Sequence, residues 1–148
     1  MRSRGCSIFL AALIVCVSGC ATTSGHATTA TSSRAIVERY LAALNRRDLL
    51  ALTAYVTPDV AWYSVVGGRR ILELTGREAL DKSLAQFFQQ HSRTQWTIES
   101  AQVVDRRVAV NERSEWNEGE RMQSRSSLGV YELSDGRICR ITYFLNDN

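Results

Sequence analysis

Apolar and polar positions follow different periods along this chain, and the changes of period divide it. Residues 8–17 are almost continuously apolar. Residues 21–33 read ATTSGHATTATSS, small and polar with no apolar period. Such a stretch cannot repay the entropy of ordering and is expected to be a flexible tether, with His26 solvated in it. From Ser33 the spacing becomes helical: Ile36, Tyr40, Leu41 and Leu44 follow Ser33 as N-cap, and Asn45 marks the stop. Asp48 caps a shorter helix bearing Leu49, Leu52, Tyr55 and Val56. Thr57-Pro58 ends it, because the residue before proline is pushed out of the helical region.

Residues 60–66 are rich in β-formers, Gly67-Gly68 is a turn signal, and residues 69–74 return as the second arm of a hairpin. Thr75 and Glu78 then have the spacing of a capping box, opening a helix with Leu80, Leu84, Phe87 and Phe88 on one face and ending near His91. Three long strands are predicted over 94–105, 108–116 and 122–133. A fourth, 137–145, follows the turn Ser134-Asp135-Gly136. Helices segregated from a consecutive run of strands indicate an α+β domain, a curved antiparallel sheet wrapped over three N-terminal helices. With 148 residues, 45% of them hydrophobic, and a single proline, the chain can build one core and not two.

The amino terminus carries an address. Arg2 and Arg4 precede the apolar run, and Ser18, Gly19 and Cys20 follow it, the three-part pattern of a secretory signal. About ten residues cannot cross a hydrocarbon core that takes roughly 20 helical residues. Val17-Ser18-Gly19-Cys20 resembles a bacterial lipobox. The resemblance implies cleavage after residue 19, lipidation of Cys20, and attachment of the protein to a membrane by several acyl chains. Ala21 after the cysteine implies the outer membrane, facing the periplasm, if the source is Gram-negative. Residues 1–19 are thus expected to be a signal peptide, 20–33 the lipidated cysteine and tether, and 34–148 the folded domain. Of the four cysteines, Cys6 and Cys16 leave with the signal and Cys20 becomes the anchor. Only Cys139 remains, so the mature chain cannot form an intrachain disulfide, and Cys139 reads as a small buried hydrophobe. The formal charge is +3, and Arg2 and Arg4 supply two of it, a balance that excludes a nucleic-acid partner.

Residues 33–148 resemble the nuclear transport factor 2-like superfamily in its SnoaL-like branch. The residues that carry the likeness are the run VERYLAALN over 37–45, Arg47-Asp48-Leu49, Tyr55 with Pro58-Asp59-Val60, the run GREAL over 76–80, and Ser134-Asp135-Gly136-Arg137-Ile138. The resemblance implies a cone-shaped barrel with a pocket between the sheet and the first and third helices, often dimeric through the outer sheet face. It implies relatives that range from steroid isomerases, cyclases, hydrolases and dehydratases to binders without catalysis, so fold alone does not decide activity.

Pairing 108–116 with 122–130 across a loop at 117–121 sets Trp116 opposite Met122, Ser114 opposite Ser124, Glu112 opposite Ser126, Val110 opposite Leu128 and Val108 opposite Val130. Apolar then meets apolar at both ends, with Glu112, Ser114, Ser124 and Ser126 in the middle of a pocket-facing surface. An inward carboxyl would be pushed up toward the range of general acid–base work, which makes Glu112 the catalytic candidate. The competing reading leaves Glu112 at an open mouth, solvated or paired with an arginine. Tyr40 matches the first-helix tyrosine that donates to the oxyanion in the steroid isomerases the chain resembles, and otherwise reads as core. Those enzymes carry a basic Asp where this chain has Tyr63-Ser64, and a second acid near Leu128 here, so isomerase chemistry would need Glu112 as a substitute. Expected pocket residues are Tyr40, Trp62, Ser64, Phe88, Glu112, Ser114, Ser124, Ser126 and Leu128. Trp62, Phe88 and Trp96 either line a cavity or fill the core.

Two histidines cannot make a convergent zinc site, and no phosphate-binding loop or Ser/His/Asp set is present, so neither metal nor cofactor is expected. The outer face with Arg113, Glu115, Gln123 and Arg125 is polar and forms either a homodimer interface or a solvated surface. The leading expectation is an envelope-anchored domain that binds a small, partly apolar ligand or a partner without catalysis. The alternatives are an isomerase-, cyclase- or hydratase-type enzyme using Glu112 and Tyr40, and a dimeric assembly module.

Overall fold

The computed structural model describes residues 24–91 and 93–145. The signal at 1–19 and the lipidation at Cys20 lie outside the described residues. In chain order the elements are α1 (Ser24–Arg46), α2 (Leu49–Ala54), β1 (Val56–Val66), β2 (Arg69–Thr75), α3 (Arg77–Gln90), β3 (Gln95–Val104), β4 (Arg107–Glu118), β5 (Arg121–Ser134) and β6 (Arg137–Phe144). The sheet runs β2-β1-β6-β5-β4-β3. Four of its pairs are antiparallel and β1 with β6 is parallel, so the curved sheet is mixed where an antiparallel one was expected. The last strand of the meander closes against β1. Backbone bonds from Ile138 N to the Tyr55 carbonyl (2.8 Å) and from Leu145 N to the Val65 carbonyl (3.0 Å) tie its two ends.

Val37, Tyr40, Leu41 and Leu44 form the buried stripe of α1 at the spacing that the sequence shows. The helix starts at Ser24, well before Ser33, so 24–33 is helical where a flexible tether was expected. Once the packed turns provide the nucleus, each added helical residue costs little. The Asp48 side chain caps α2 by accepting from Ala51 N at 3.0 Å. That helix ends at Ala54, and Val56 opens β1 instead of closing α2. Pro58 lies in the stretch where β1 and β6 slip register between Val56 and Ala61, a place where a missing N–H breaks no ladder. The capping box expected at Thr75 and Glu78 does not form. Thr75 still pairs with Ala61 in the sheet, and Gly76, at φ 90°, turns the chain into α3 without a side-chain cap.

The register of β4 and β5 differs by one residue from the expected one. Val108 faces Tyr131, Val110 faces Gly129, Glu112 faces Ser127, Ser114 faces Arg125 and Trp116 faces Gln123. The strands extend to Glu118 and Arg121, and Gly119-Glu120 closes the hairpin, with Gly119 at φ 63°. A two-residue turn replaces the five-residue loop, and loop length sets register. The slip exchanges the faces of β5: Ser124, Ser126 and Leu128 go to the outer face, while Arg125, Ser127, Gly129 and Tyr131 come inward. Burial of the Tyr131 ring, which is fully enclosed, outweighs exposing Leu128.

Two polar clamps hold the end of α1, one to the sheet and one to α3. The Asn45 side chain donates to the Trp96 carbonyl and accepts from the Trp96 amide, both at 2.8 Å, satisfying the free edge of β3. Arg47, at φ 58°, donates to the Phe88 carbonyl (3.0 Å) and the His91 carbonyl (2.9 Å) at the end of α3. Asn45→Ala removes both bonds to Trp96 and should cost about 2 kcal/mol. Chemical denaturation measures this, and a loss below about 0.5 kcal/mol would mean that the clamp is not what seats α1 on β3.

Candidate functional site

The helices and the curved sheet enclose a cavity of about 650 Å³. Its apolar wall combines Leu44 of α1, Leu84 and Phe87 of α3, and Trp62, Trp96 and Trp116 from three strands. Tyr40, Ser64 and Ser114, expected in the pocket, line it. Phe88 does not. Phe87 takes that place, while Phe88 packs on the core and receives the Arg47 guanidinium over its ring at 5.4 Å. Ser124, Ser126 and Leu128 are excluded by the register of β5.

Glu112 points inward but lies beneath the cavity wall, only 1% exposed. Tyr131 of β5 and Tyr143 of β6 surround its carboxyl group. Tyr131 Oη donates to Glu112 Oε1, Tyr143 Oη donates to Oε2 at 3.1 Å, and the two phenol oxygens lie 2.8 Å apart. Gly129 makes room for this group: a Cβ there would meet Glu112 Oε1 at 2.6 Å and both tyrosine rings at 3.1 Å. Burial raises the Glu112 carboxyl from its ordinary 4.5 to about 7, against the opposing pull of the two tyrosine hydrogen bonds. Burial also pushes the Tyr131 and Tyr143 hydroxyls well up, and Glu112 adds to both. Tyr40 is raised as well, by burial first and by Glu112 second.

Tyr143 belongs both to this cluster and to the cavity wall, so it connects the two. Tyr40, 2% exposed, also lines the cavity, and its hydroxyl has no hydrogen-bond partner among the described residues. A buried phenol without a protein partner, opening on a hollow, is a place where a ligand atom would be satisfied.

Several polar groups of the wall were not visible in the sequence pattern. The register of β1 and β2 shifts after Trp62, which pairs with Leu74 while Tyr63 pairs with Leu72. Glu73 is the extra residue of this bulge, and it turns to the cavity, where it accepts from Ser64 Oγ. Arg125, placed inward by the observed register, lines the wall and makes no ion pair among the described residues. Its backbone carbonyl accepts from Ser114 Oγ at 3.2 Å. His91, expected only as a helix end, lines the rim and packs against Phe87 at 4.7 Å between ring centres. No cluster of metal-ligating side chains occurs among the described residues.

Solved structures share this architecture. An LEH-like epoxide hydrolase from M. tuberculosis is 24% identical, with a TM-score of 0.64, over 79% of this chain and 84% of that one. A nuclear transport factor 2-like protein of unknown function from Burkholderia pseudomallei has a TM-score of 0.66 at 17% identity, over 78% and 91% of the two chains. A candidate ketosteroid isomerase from Kribbella flavida has a TM-score of 0.64 at 21% identity, over 80% and 81%. At these identities the likeness concerns the fold. No curated protein sequence matches the chain. The model of the SnoaL-like domain matches residues 37–141, a span that contains Glu112, Tyr131 and most of the cavity lining, and the chain belongs to the SnoaL-like domain family.

Proposed function

We propose that this domain binds a small, partly apolar molecule in the cavity between α1, α3 and the sheet. The observation that carries the reading is the pairing of a tryptophan-rich wall with the partnerless Tyr40 hydroxyl at its base. Pockets that hold small organic ligands combine an apolar lining with a few placed polar groups in this way. Ser127 lines the wall and Ser127→Trp would fill part of the hollow. Native mass spectrometry of the purified wild-type chain should show a co-purified small molecule, or one acquired from a panel of aromatic compounds, that the variant retains at least tenfold less. Equal occupancy of the two proteins would place the ligand elsewhere. The same spectrum reads the homodimer that we propose through the outer sheet face, where Leu128 and Phe144 pair and remain exposed.

We further propose that the domain is displayed on a membrane through a lipid on Cys20, on the strength of the run VSGC over 17–20 after a basic and then apolar start. Among the described residues no helix is long and apolar enough to cross a membrane. Cys20→Ser should move the protein from the membrane to the soluble fraction in cell fractionation, and unchanged sedimentation with membranes would remove the anchor.

The hydrogen bond between Glu112 and the cavity-lining Tyr143 favours a second reading. In it Glu112 acts as acid or base through Tyr143, with Tyr40 as hydrogen-bond donor, in isomerase-, cyclase- or hydratase-type chemistry. This requires that Glu112 retain its proton close to neutral pH. The folded state then binds a proton that the unfolded state has released, so stability is greatest below about pH 4.5 and falls as pH rises toward 7. Denaturation midpoints across that window should report a loss on the order of 3 kcal/mol that Glu112→Gln flattens. A pH dependence identical in the two proteins would show that the Glu112 carboxyl titrates alike in the native and unfolded states.

A further inference from the structure

We propose that the tyrosine pole of the cavity takes a neutral carbonyl compound, and that Tyr143 donates to its oxygen only while Glu112 carries a proton, so that ligand and proton are bound together. The inference rests on the binding reading above and adds the chemistry of the bound group. It follows from counting protons in the cluster. Three oxygen–oxygen contacts join three groups: Tyr131 to Glu112, Tyr143 to Glu112, and Tyr131 to Tyr143. With Glu112 ionised there are two hydroxyl protons for three contacts, and both are held by the carboxylate, the strongest acceptor present. Tyr143 then offers the cavity only a lone pair. With Glu112 protonated there are three protons for three contacts. The carboxyl proton is donated to Tyr143 Oη, and the Tyr143 proton is free to turn from Tyr131 toward an acceptor in the hollow.

The surroundings leave this proton inventory undisturbed. From α1 the group facing Glu112 is Tyr40, from β5 Tyr131 and Gly129, from β6 Tyr143, and from β3 the paired residue Ile98. None of these is a charged side chain, so no fixed cation holds the carboxylate ionised. A carbonyl oxygen has two lone pairs and no proton, which suits two donors, Tyr143 and the unpartnered Tyr40. A ligand hydroxyl has a proton of its own to place, which the ionised cluster would accept.

The test uses 2-acetylnaphthalene and 2-ethylnaphthalene, two probes of similar shape of which only the first carries an acceptor. Equilibrium dialysis against the purified chain is run between about pH 5.5 and 8.5, a range in which neither probe titrates. The ketone should bind about tenfold more weakly at the alkaline end, the scale of one hydrogen bond, while the hydrocarbon keeps its affinity. Glu112→Gln, whose amide still donates to Tyr143, should hold the ketone equally at every pH. Tyr143→Phe should bind the ketone weakly at every pH and leave the hydrocarbon unaffected, which keeps the test valid if the Gln variant does not fold. His91 lines the same cavity, so His91→Gln is the control, expected to retain the wild-type pH response. A ketone affinity independent of pH, a parallel shift of the hydrocarbon, or a response abolished by His91→Gln would overturn the proton coupling while the binding reading stands. Failure of both probes to bind at any pH would overturn the binding reading and this inference with it.

Discussion

A carboxyl group removed from water has to be neutralised, paired with a cation or surrounded by donors, and among the described residues no cation pairs with Glu112. Two phenols supply the donors, and the position of each follows from the sheet. Tyr131 reaches Glu112 from the neighbouring strand β5, and Tyr143 from β6, one strand further on. The approach is possible because Gly129, opposite Tyr143 and beside both rings, has no side chain. Shifting β5 by a single residue would replace this glycine with Leu128 or Val130 and close the space. The carboxyl group, the two phenols and the glycine therefore constrain the register of three strands together, and the cavity above them inherits its polar base from that constraint.

The helices are held to the same frame by polar contacts at their ends. Asn45 seats the end of α1 on the open edge of β3, and Arg47 closes the end of α3 with hydrogen bonds to two carbonyls. Both lie close in sequence, so one short segment positions the two helices that wall the cavity. Helices fixed at their termini leave their middle faces free to line a hollow without collapsing into it. Tyr40 and Leu44 do so from α1, and Leu84 and Phe87 from α3.

Much of this was legible in the sequence, because periodicity reports burial directly. The stripe of α1, the Gly67-Gly68 hairpin, the four-strand meander and the inward direction of Glu112 all follow from alternation and turn chemistry. The error in β5 has a physical origin. Matching apolar residues across two strands selects a register only when loop length is known, and here one residue of difference carried Ser124, Ser126 and Leu128 to the outer face. Tyr131 held the missing information: a large ring that must be enclosed is a stronger constraint than Leu128. The parallel closure of β6 on β1 had no local signal, since it depends on how the whole sheet curls. Glu73 was hidden for a similar reason, because a bulge breaks the two-residue alternation on which inward and outward assignments depend.

One carboxyl group lines the cavity and another lies beneath its wall, and their different surroundings bear on what the cavity can do. Glu73 sits on an exposed stretch of β2, with a serine hydroxyl as its partner. Glu112 sits under the wall among phenols, where burial pushes its carboxyl up from the ordinary range. Arg125 brings a positive charge to the lining from the hairpin end of β5. A molecule in the cavity would meet charged groups, indole rings and buried hydroxyls. Hydrogen bonds formed at that depth discriminate strongly, because an unmatched polar atom on either side is left without a partner. On the binding proposed above, selectivity for the polar end of a ligand would reside in the Glu112–Tyr131–Tyr143 cluster with Tyr40, and tolerance for its apolar body in the indole walls.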